Sequence, residues 1–335
     1  MIRFLLPLAA VALFASIAAA STASVIWMTI TPGARANGMG ESFVAISDDA
    51  TASYWNPAGL AWVDQEKNEI TLQHSKWLPQ LASDLYFEYL GYCTYLEGWG
   101  GLGGNITFMS MGEQDETVEG SPDPIGTFYS YGIAATAAAG TEVAPGASVG
   151  VGLKFIYDHL YYADIGKGSS FAADLGVIYH LPMEEMGLAG IGNASIGASL
   201  TNLGPNMSYG GHSDGNPLPR MIRAGLAYEP FDTHMTQLRV AADYSKILTF
   251  VDDGFSEEFN ENKWGIGAEY WYYDLLGLRA GYSHDTEGGS TIQGMTFGAG
   301  LQYSGFQFDM AFIPVDEQLQ GSGKYNTKFS LAVQF

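Results

Sequence analysis

The feature that most constrains this chain is a two-residue alternation of side chains that recurs from about residue 68 to the C-terminus. In the last segment Tyr325, Thr327, Phe329, Leu331, Val333 and Phe335 fall on one face, and Asn326, Lys328, Ser330, Ala332 and Gln334 on the other. Successive side chains of an extended strand point to opposite faces, so this period specifies strands with one apolar face. The same pattern sets Val149, Val151, Leu153, Phe155 and Tyr157 against Ser148, Gly150, Gly152, Lys154 and Asp158. It also sets Trp264, Ile266, Ala268 and Tyr270 against Lys263, Gly265, Gly267 and Glu269. About fourteen such segments are predicted, near 68–78, 84–95, 100–111, 126–138, 147–158, 170–180, 194–202, 220–229, 237–247, 263–272, 276–283, 295–303, 305–313 and 325–335. Most have the roughly 9 to 12 residues that a tilted strand needs to cross a bilayer core.

A soluble sandwich or propeller would turn the apolar faces inward and give the outer faces to Lys and Glu. Here the polar faces carry Gly, Ala, Ser and Thr with single charges of both signs: Lys154, Asp174, Arg223, Arg239, Asp243, Glu269, Arg279, Asp309 and Lys328. Only 15% of the chain is charged, and 43 residues are glycine. Sparse mixed charges among small residues suit the lumen of a membrane barrel, where opposite charges pair across the interior. The apolar faces begin or end in aromatic residues such as Tyr157, Tyr179, Tyr228, Trp264, Tyr282 and Tyr303, the girdle positions of such barrels. The fold class expected is therefore all-β, an antiparallel transmembrane barrel of about fourteen strands. Connections after odd strands are mostly long and those after even strands mostly short, which places the former outside the cell. The exceptions are a short first outer loop and a long inner connection, Leu181 to Asn193, with room for a short helix.

Three function classes are excluded or disfavoured. With Lys+Arg 14 against Asp+Glu 36, the chain repels phosphate backbones, so no nucleic-acid partner is expected. One cysteine, Cys93, permits no internal disulfide or cysteine-built zinc site and reads as a packed apolar residue. The six histidines (His74, His159, His180, His212, His234 and His284) are scattered singly, and no nucleophile motif surrounds any serine. No catalytic residue, metal or cofactor is expected. Two acidic outer loops (Glu113, Asp115, Glu116, Glu119, Asp123; and Asp252, Asp253, Glu257, Glu258, Glu261) match no calcium-loop spacing and read as solvated.

Ahead of the strands, Arg3, the apolar run Phe4 to Ala19 and the small residues Ala18-Ala19-Ala20 read as a secretory signal peptide cleaved near Ala20; a membrane anchor is the alternative. The predicted division is signal peptide 1–20, an N-terminal segment 21–66 and a barrel 67–335, with residence in the cell outer membrane. The N-terminal segment lacks the alternation and is rich in Gly, Ala, Ser and Asp. Asp48-Asp49 can cap a helix start, and Pro57 drives Asn56 out of the helical region, so Asn56-Pro57-Ala58-Gly59 is expected as a fixed turn.

The string PGARANGMGESFVAISDDATASYWNPAGLA, Pro32 to Ala61, closely resembles the opening of PorV/PorQ-type outer-membrane proteins, distant relatives of the FadL fatty-acid channel. The similarity continues through Leu218 to Tyr228, Trp264 to Tyr270, Leu278 to Tyr282, Thr296 to Leu301 and Lys328 to Leu331, so it covers essentially the whole mature chain. Glu41-Ser42 departs from it, since the family more often has small residues there. The resemblance implies fourteen strands with the N-terminal segment folded inside as a plug. It further implies a non-enzymatic part in type IX secretion, collecting cargo by its C-terminal sorting domain beside translocon and sortase components. A FadL-like channel for hydrophobic molecules is the alternative, and a structural paralogue outside secretion a third.

Within the plug, Gly33, Gly38 and Gly40 permit tight turns in a crowded lumen. Arg35, Asp48, Asp49 and Asn56 are expected to pair with lumen charges such as Arg223, Arg239 or Arg279, and Pro57 fixes the following turn; these residues either specify the plug or take part in gating. Phe329, Leu331, Val333 and Phe335 resemble the signal read by the barrel-assembly machinery, and face outer-membrane lipid in either case.

Overall fold

A computed structural model describes residues 23–77, 83–116, 124–161, 166–188, 190–210, 215–248, 262–285, 293–314 and 325–335. Fifteen strands follow one another: β1 (Glu69–Lys76), β2 (Leu85–Leu96), β3 (Gly100–Glu116), β4 (Gly126–Ala144), β5 (Ala147–His159), β6 (Lys167–His180), β7 (Asn193–Leu203), the two-residue β8 (Ser208–Tyr209), β9 (Met221–Asp232), β10 (Thr236–Ile247), β11 (Lys263–Tyr272), β12 (Leu276–Asp285), β13 (Gly294–Tyr303), β14 (Phe306–Pro314) and β15 (Tyr325–Gln334). Each long strand pairs antiparallel with its neighbours in the chain, and β1 closes the sheet on β15 from Glu69↔Gln334 to His74↔Phe329. Strand β8 lies outside this ring, laid on the end of β6. The result is a closed fourteen-stranded barrel without a free edge, the form in which a sheet can satisfy all its backbone groups in lipid.

Alternation sets the two faces. Along β5 the odd-numbered residues Val149, Val151, Leu153 and Phe155 are exposed, whereas Ser148, Lys154 and Asp158 are buried. The apolar band is therefore outside and the polar face inside, and all nine single charges of the polar faces point into the lumen. An outward ladder of rings, Tyr86–Phe108–Tyr131–Tyr157, with centroids 5.9 to 6.2 Å apart, runs across four strands. The connections at 97–99, 145–146, 233–235, 273–275 and 304–305 are two or three residues long, and the strand ends at Glu69 and Gln334 lie on that same rim. Apart from the connection 181–192, which shares the rim of the short turns, the longer connections are at the opposite rim, which identifies that rim as the cell-surface side.

Two sequence expectations need correction. Strand β3 runs to Glu116, beyond its predicted end at 111, because its outer half continues to pair with β4 (Glu113↔Tyr129, Glu116↔Gly126), and β4, which starts at Gly126 as expected, runs on past 138 to Ala144, where it pairs with the start of β5 (Ala144↔Ala147). The inner connection after β6, which has room for a short helix, forms hydrogen-bonded turns instead, Met186 N to Pro182 O and Leu188 N to Met183 O. Residues 1–20, Glu119, Asp123 and the acidic run 252–261 lie outside the described residues.

Candidate functional site: the plugged lumen

Residues 23–63 fill the barrel as short helical pieces joined by turns: 3-10 turns at Ile26–Thr29 and Pro57–Trp62, and one-turn helices at Ala34–Gly38 and Ala52–Trp55. None of these pieces is long enough to hold its shape alone. What holds them is the wall. Ala34, Met39, Phe43, Trp55 and Leu60 are at most 1% exposed.

The inner face makes room for this backbone through glycine. A Cβ on Gly150 or Gly176 would collide with Pro57 and Asn56, and one on Gly101 with Leu60. On the opposite wall a Cβ on Gly265, Gly267 or Gly281 would strike Met39 or Gly40. Gly38 packs in the same way against Gly298, and Gly33 and Gly40 have φ of 85° and 64°, conformations that side chains disfavour. The wall glycines are functional residues that sequence reasoning left unassigned; their only signal was their recurrence on the polar face.

Charges then fasten the plug. Arg35 Nε and Nη2 donate to the two oxygens of Glu269 on β11 at 2.9 and 2.8 Å. Its Nη1 donates to Asp48 at 2.6 Å and to Asp49 at 3.1 Å. Asp48 also accepts from Arg239 of β10 at 2.6 Å, and Arg239 binds Glu229 of β9 at 2.6 Å. On the other flank Glu269 accepts from Arg279 of β12 at 2.7 Å, which reaches Asp309 of β14 at 2.7 Å. One continuous relay thus runs from β9 through the plug to β14. Each buried charge in it has an opposite partner, the condition for tolerating charge away from water.

Three expected residues bind otherwise. Asn56 donates to the carbonyls of Val44 (2.9 Å) and Val177 (3.1 Å) and accepts from Ala58 N at 3.1 Å, so it caps the Pro57 turn and meets no charge. Arg223 meets the Tyr54 hydroxyl at 3.3 Å and lies over the rings of Tyr54 and Trp55, 5.1 and 5.4 Å from their centroids. Its carboxylate counterpart Asp243 instead accepts the backbone N–H groups of Phe43 and Val44, at 2.7 and 2.8 Å. Asp49 accepts from Thr51 N at 2.8 Å in the turn ahead of the Ala52–Trp55 helix, whose N-cap position is Thr51, and Asp48 is used by the two arginines, so neither aspartate caps that helix. Lys154 and Asp174, 3.0 Å apart, pair across neighbouring strands and share Asn202 of β7 without touching the plug. Lys328 donates to Thr31 O (2.7 Å) and Asn37 Oδ1 (2.9 Å). Glu41, the departure from the family string, pairs with Lys263 at 2.7 Å.

The plug divides the remaining space in two. Toward the periplasm lies a polar pocket of about 200 Å³ bordered by Asp48, Asp49, Glu69, Asp274 and Gln334. Toward the cell surface lies a larger cavity of about 560 Å³ bordered by Trp27, Ile30, Trp77, Met109, Met221 and Ile247. Among the described residues no group of three or more His, Cys, Asp and Glu is placed to hold a metal ion. Cys93 is buried and unpaired to sulfur, against the plug residue Leu60 among others.

The architecture defines a plugged, fourteen-stranded outer-membrane β-barrel. Among solved structures it is similar to the toluene transporter TodX of Pseudomonas putida, at 13% identity over 90% of this chain and 97% of that one, with a TM-score of 0.56. The toluene transporter TbuX of Ralstonia pickettii aligns at 12% identity over 90% and 97%, with a TM-score of 0.57. At such identities the likeness is one of fold alone. The chain belongs to the family described as type IX secretion system protein PorV, which matches residues 16–253, the plug and the strands as far as β10. No curated protein sequence matches it.

Proposed function

We propose that this protein is a non-enzymatic outer-membrane component of type IX secretion that receives secreted proteins by their C-terminal sorting domains and presents them at the cell surface. The observation that carries this reading is the family match, which spans the plug and most of the barrel. The relay from Glu229 to Asp309 agrees with it, since a plug ion-paired to β10 and β11 within a network over five strands suits a stationary surface component better than an open pore. In this reading Gly33, Arg35, Gly38, Gly40, Asp48, Asp49, Asn56 and Pro57 keep the lumen shut, and the lumen residues Arg223, Arg239, Asp243, Glu269 and Lys328 hold the plug there. The signal peptide is removed near Ala20, and the outward residues Phe329, Leu331, Val333 and Phe335 of the last strand recruit the barrel-assembly machinery. Deleting the gene is expected to abolish surface delivery of proteins bearing C-terminal sorting domains, while translocon and sortase levels hold; unchanged delivery refutes it.

The second reading, a channel for hydrophobic molecules, is favoured by one observation: Trp, Met and Ile side chains, among them Trp27, Trp77, Met109 and Ile247, line part of the surface-side cavity, beside charged residues such as Glu41 and Lys263. It requires the purified barrel to bind a long-chain amphiphile and to lose that binding when Met109→Arg occupies the cavity.

A further inference from the structure

The plug is fastened unevenly. From Arg35 onward it is held by ion pairs to β10 and β11 and by glycine contacts on both walls. Residues 23–30, Ala-Ser-Val-Ile-Trp-Met-Thr-Ile, contain no charged side chain. They lie at the cell-surface end of the lumen, where Ser24 N and Oγ donate to the Pro217 carbonyl at 2.8 and 3.1 Å. Trp27 sets its ring in the notch left by Gly132 of β4, and its Nε1 donates to Asp158 of β5 at 3.1 Å; Asp158 also accepts the Tyr209 hydroxyl at 2.7 Å. Farther down, Met28 O accepts from the Tyr54 hydroxyl at 3.1 Å. Below that, Lys328 pins Thr31.

Two features set this stretch apart. Val25 has φ 47° and ψ 42°; Glu41 and Ser47 farther along the plug also have positive φ, but Val25 is the β-branched one of the three, and such a residue adopts this left-handed conformation only under constraint. Ile26, Trp27, Thr29 and Ile30 together form one wall of the 560 Å³ cavity, and Ile26 is 55% exposed at the rim. A segment with a strained β-branched residue, no ion pair of its own and a cavity behind it differs from the rest of the plug in what it costs to move.

We infer that residues 24–30 form a releasable strap, hinged at Thr31 and latched by Trp27 on Asp158, whose displacement opens the surface-side cavity while the plug below stays seated and the barrel stays sealed. Release frees Val25 from its left-handed turn and exposes the Gly132 notch, so the opened state presents the Trp and Met wall of the cavity to the cell surface. The inference does not depend on the secretion reading and is tested on the purified barrel and on intact cells.

Two variants weaken the latch differently: Trp27→Phe keeps an aromatic ring but removes the N–H together with part of the indole that fills the notch, and Asp158→Asn keeps the size of the acceptor and removes its charge. Amide exchange on the full-length protein in lipid nanodiscs is expected to be faster in 24–30 than in Ala34–Gly38 or Pro57–Trp62. Either variant is expected to raise strap exchange about tenfold, the loss of one charge-assisted hydrogen bond, and to leave the other two segments unchanged. A Met109→Cys reporter in the cavity wall is expected to react faster with a membrane-impermeant maleimide added to cells when either latch variant is present, with conductance in planar bilayers unchanged. Exchange that rises equally along the whole plug, or labelling that rises together with conductance, would show the plug moving as one body and overturn the inference. So would a strap as protected as Pro57–Trp62 in the wild type and in both variants.

Discussion

Arg35 and Glu269 meet as a two-pronged ion pair inside the lumen, with Nε 2.9 Å from Oε1 and Nη2 2.8 Å from Oε2, 234 residues apart in the chain. Glu269 is fully buried, and the same carboxylate also accepts from Arg279. The pair joins the plug to the wall and sits midway along the relay.

Glu269→Gln leaves two guanidinium groups facing an uncharged amide away from water. Breaking a buried pair by removing one partner typically costs about 3–5 kcal/mol. The variant is expected to unfold at lower urea in vesicles, and a double-mutant cycle with Arg35→Gln is expected to show strong coupling; additive effects would mean that the two residues do not act as a pair.

Removing Thr31 to Leu60 takes out the plug from its hinge to the Pro57 turn and leaves the fourteen-strand ring, whose pairing does not involve it. Stable conductance in planar bilayers is the expected result, compared with a closed wild type.

The wall glycines predict a position-specific penalty. Gly150→Val drives a side chain into Pro57, and Gly281→Val drives one into Gly40. Overpacking of this kind costs typically about 1–3 kcal/mol. Gly126→Ala, beside only the tip of Glu116, is the comparison and is expected to be close to neutral. Protease nicking of the displaced plug gives a direct readout.

Leu153 on β5 is 71% exposed and faces away from the lumen. Leu153→Arg is expected to destabilise the barrel by about 2–4 kcal/mol if the residue sits near the bilayer midplane. Lipid-vesicle folding titrations measure this, and a soluble sandwich would tolerate the change.

Val333 and Phe335 are outward positions at the end of the closing strand, with Phe335 N bonded to Asn68 O at 3.0 Å. Deleting Phe335 is expected to lower the assembled fraction in cells, read by heat-modifiable gel migration, while purified protein refolds into detergent as well as the wild type. Equal loss in both would make the residue structural only.

The number of long strands, most of their spans and the sign of each face were legible in the chain because they depend on neighbours two residues apart: Val151 and Leu153 bear on each other however the barrel closes; the overrun of β3 and β4 was not, because it depends on pairing between strands. The same local logic placed Pro57 after an extended Asn56, whose φ is −159°. Which charges meet was not legible. Arg223 and Arg239 sit on similar polar faces, yet one takes the rings of Tyr54 and Trp55 and the other takes Asp48, because the stagger of the strands and the path of the plug set which group arrives opposite each. The wall glycines are alike in this respect, since the collision at Gly150 involves Pro57, a residue far away in sequence. The chain by itself determined a membrane barrel with a polar interior. Only the tertiary structure decided how the interior is closed, because its contacts join residues up to nearly 300 positions apart, as Lys328 joins Thr31, and no local period encodes them.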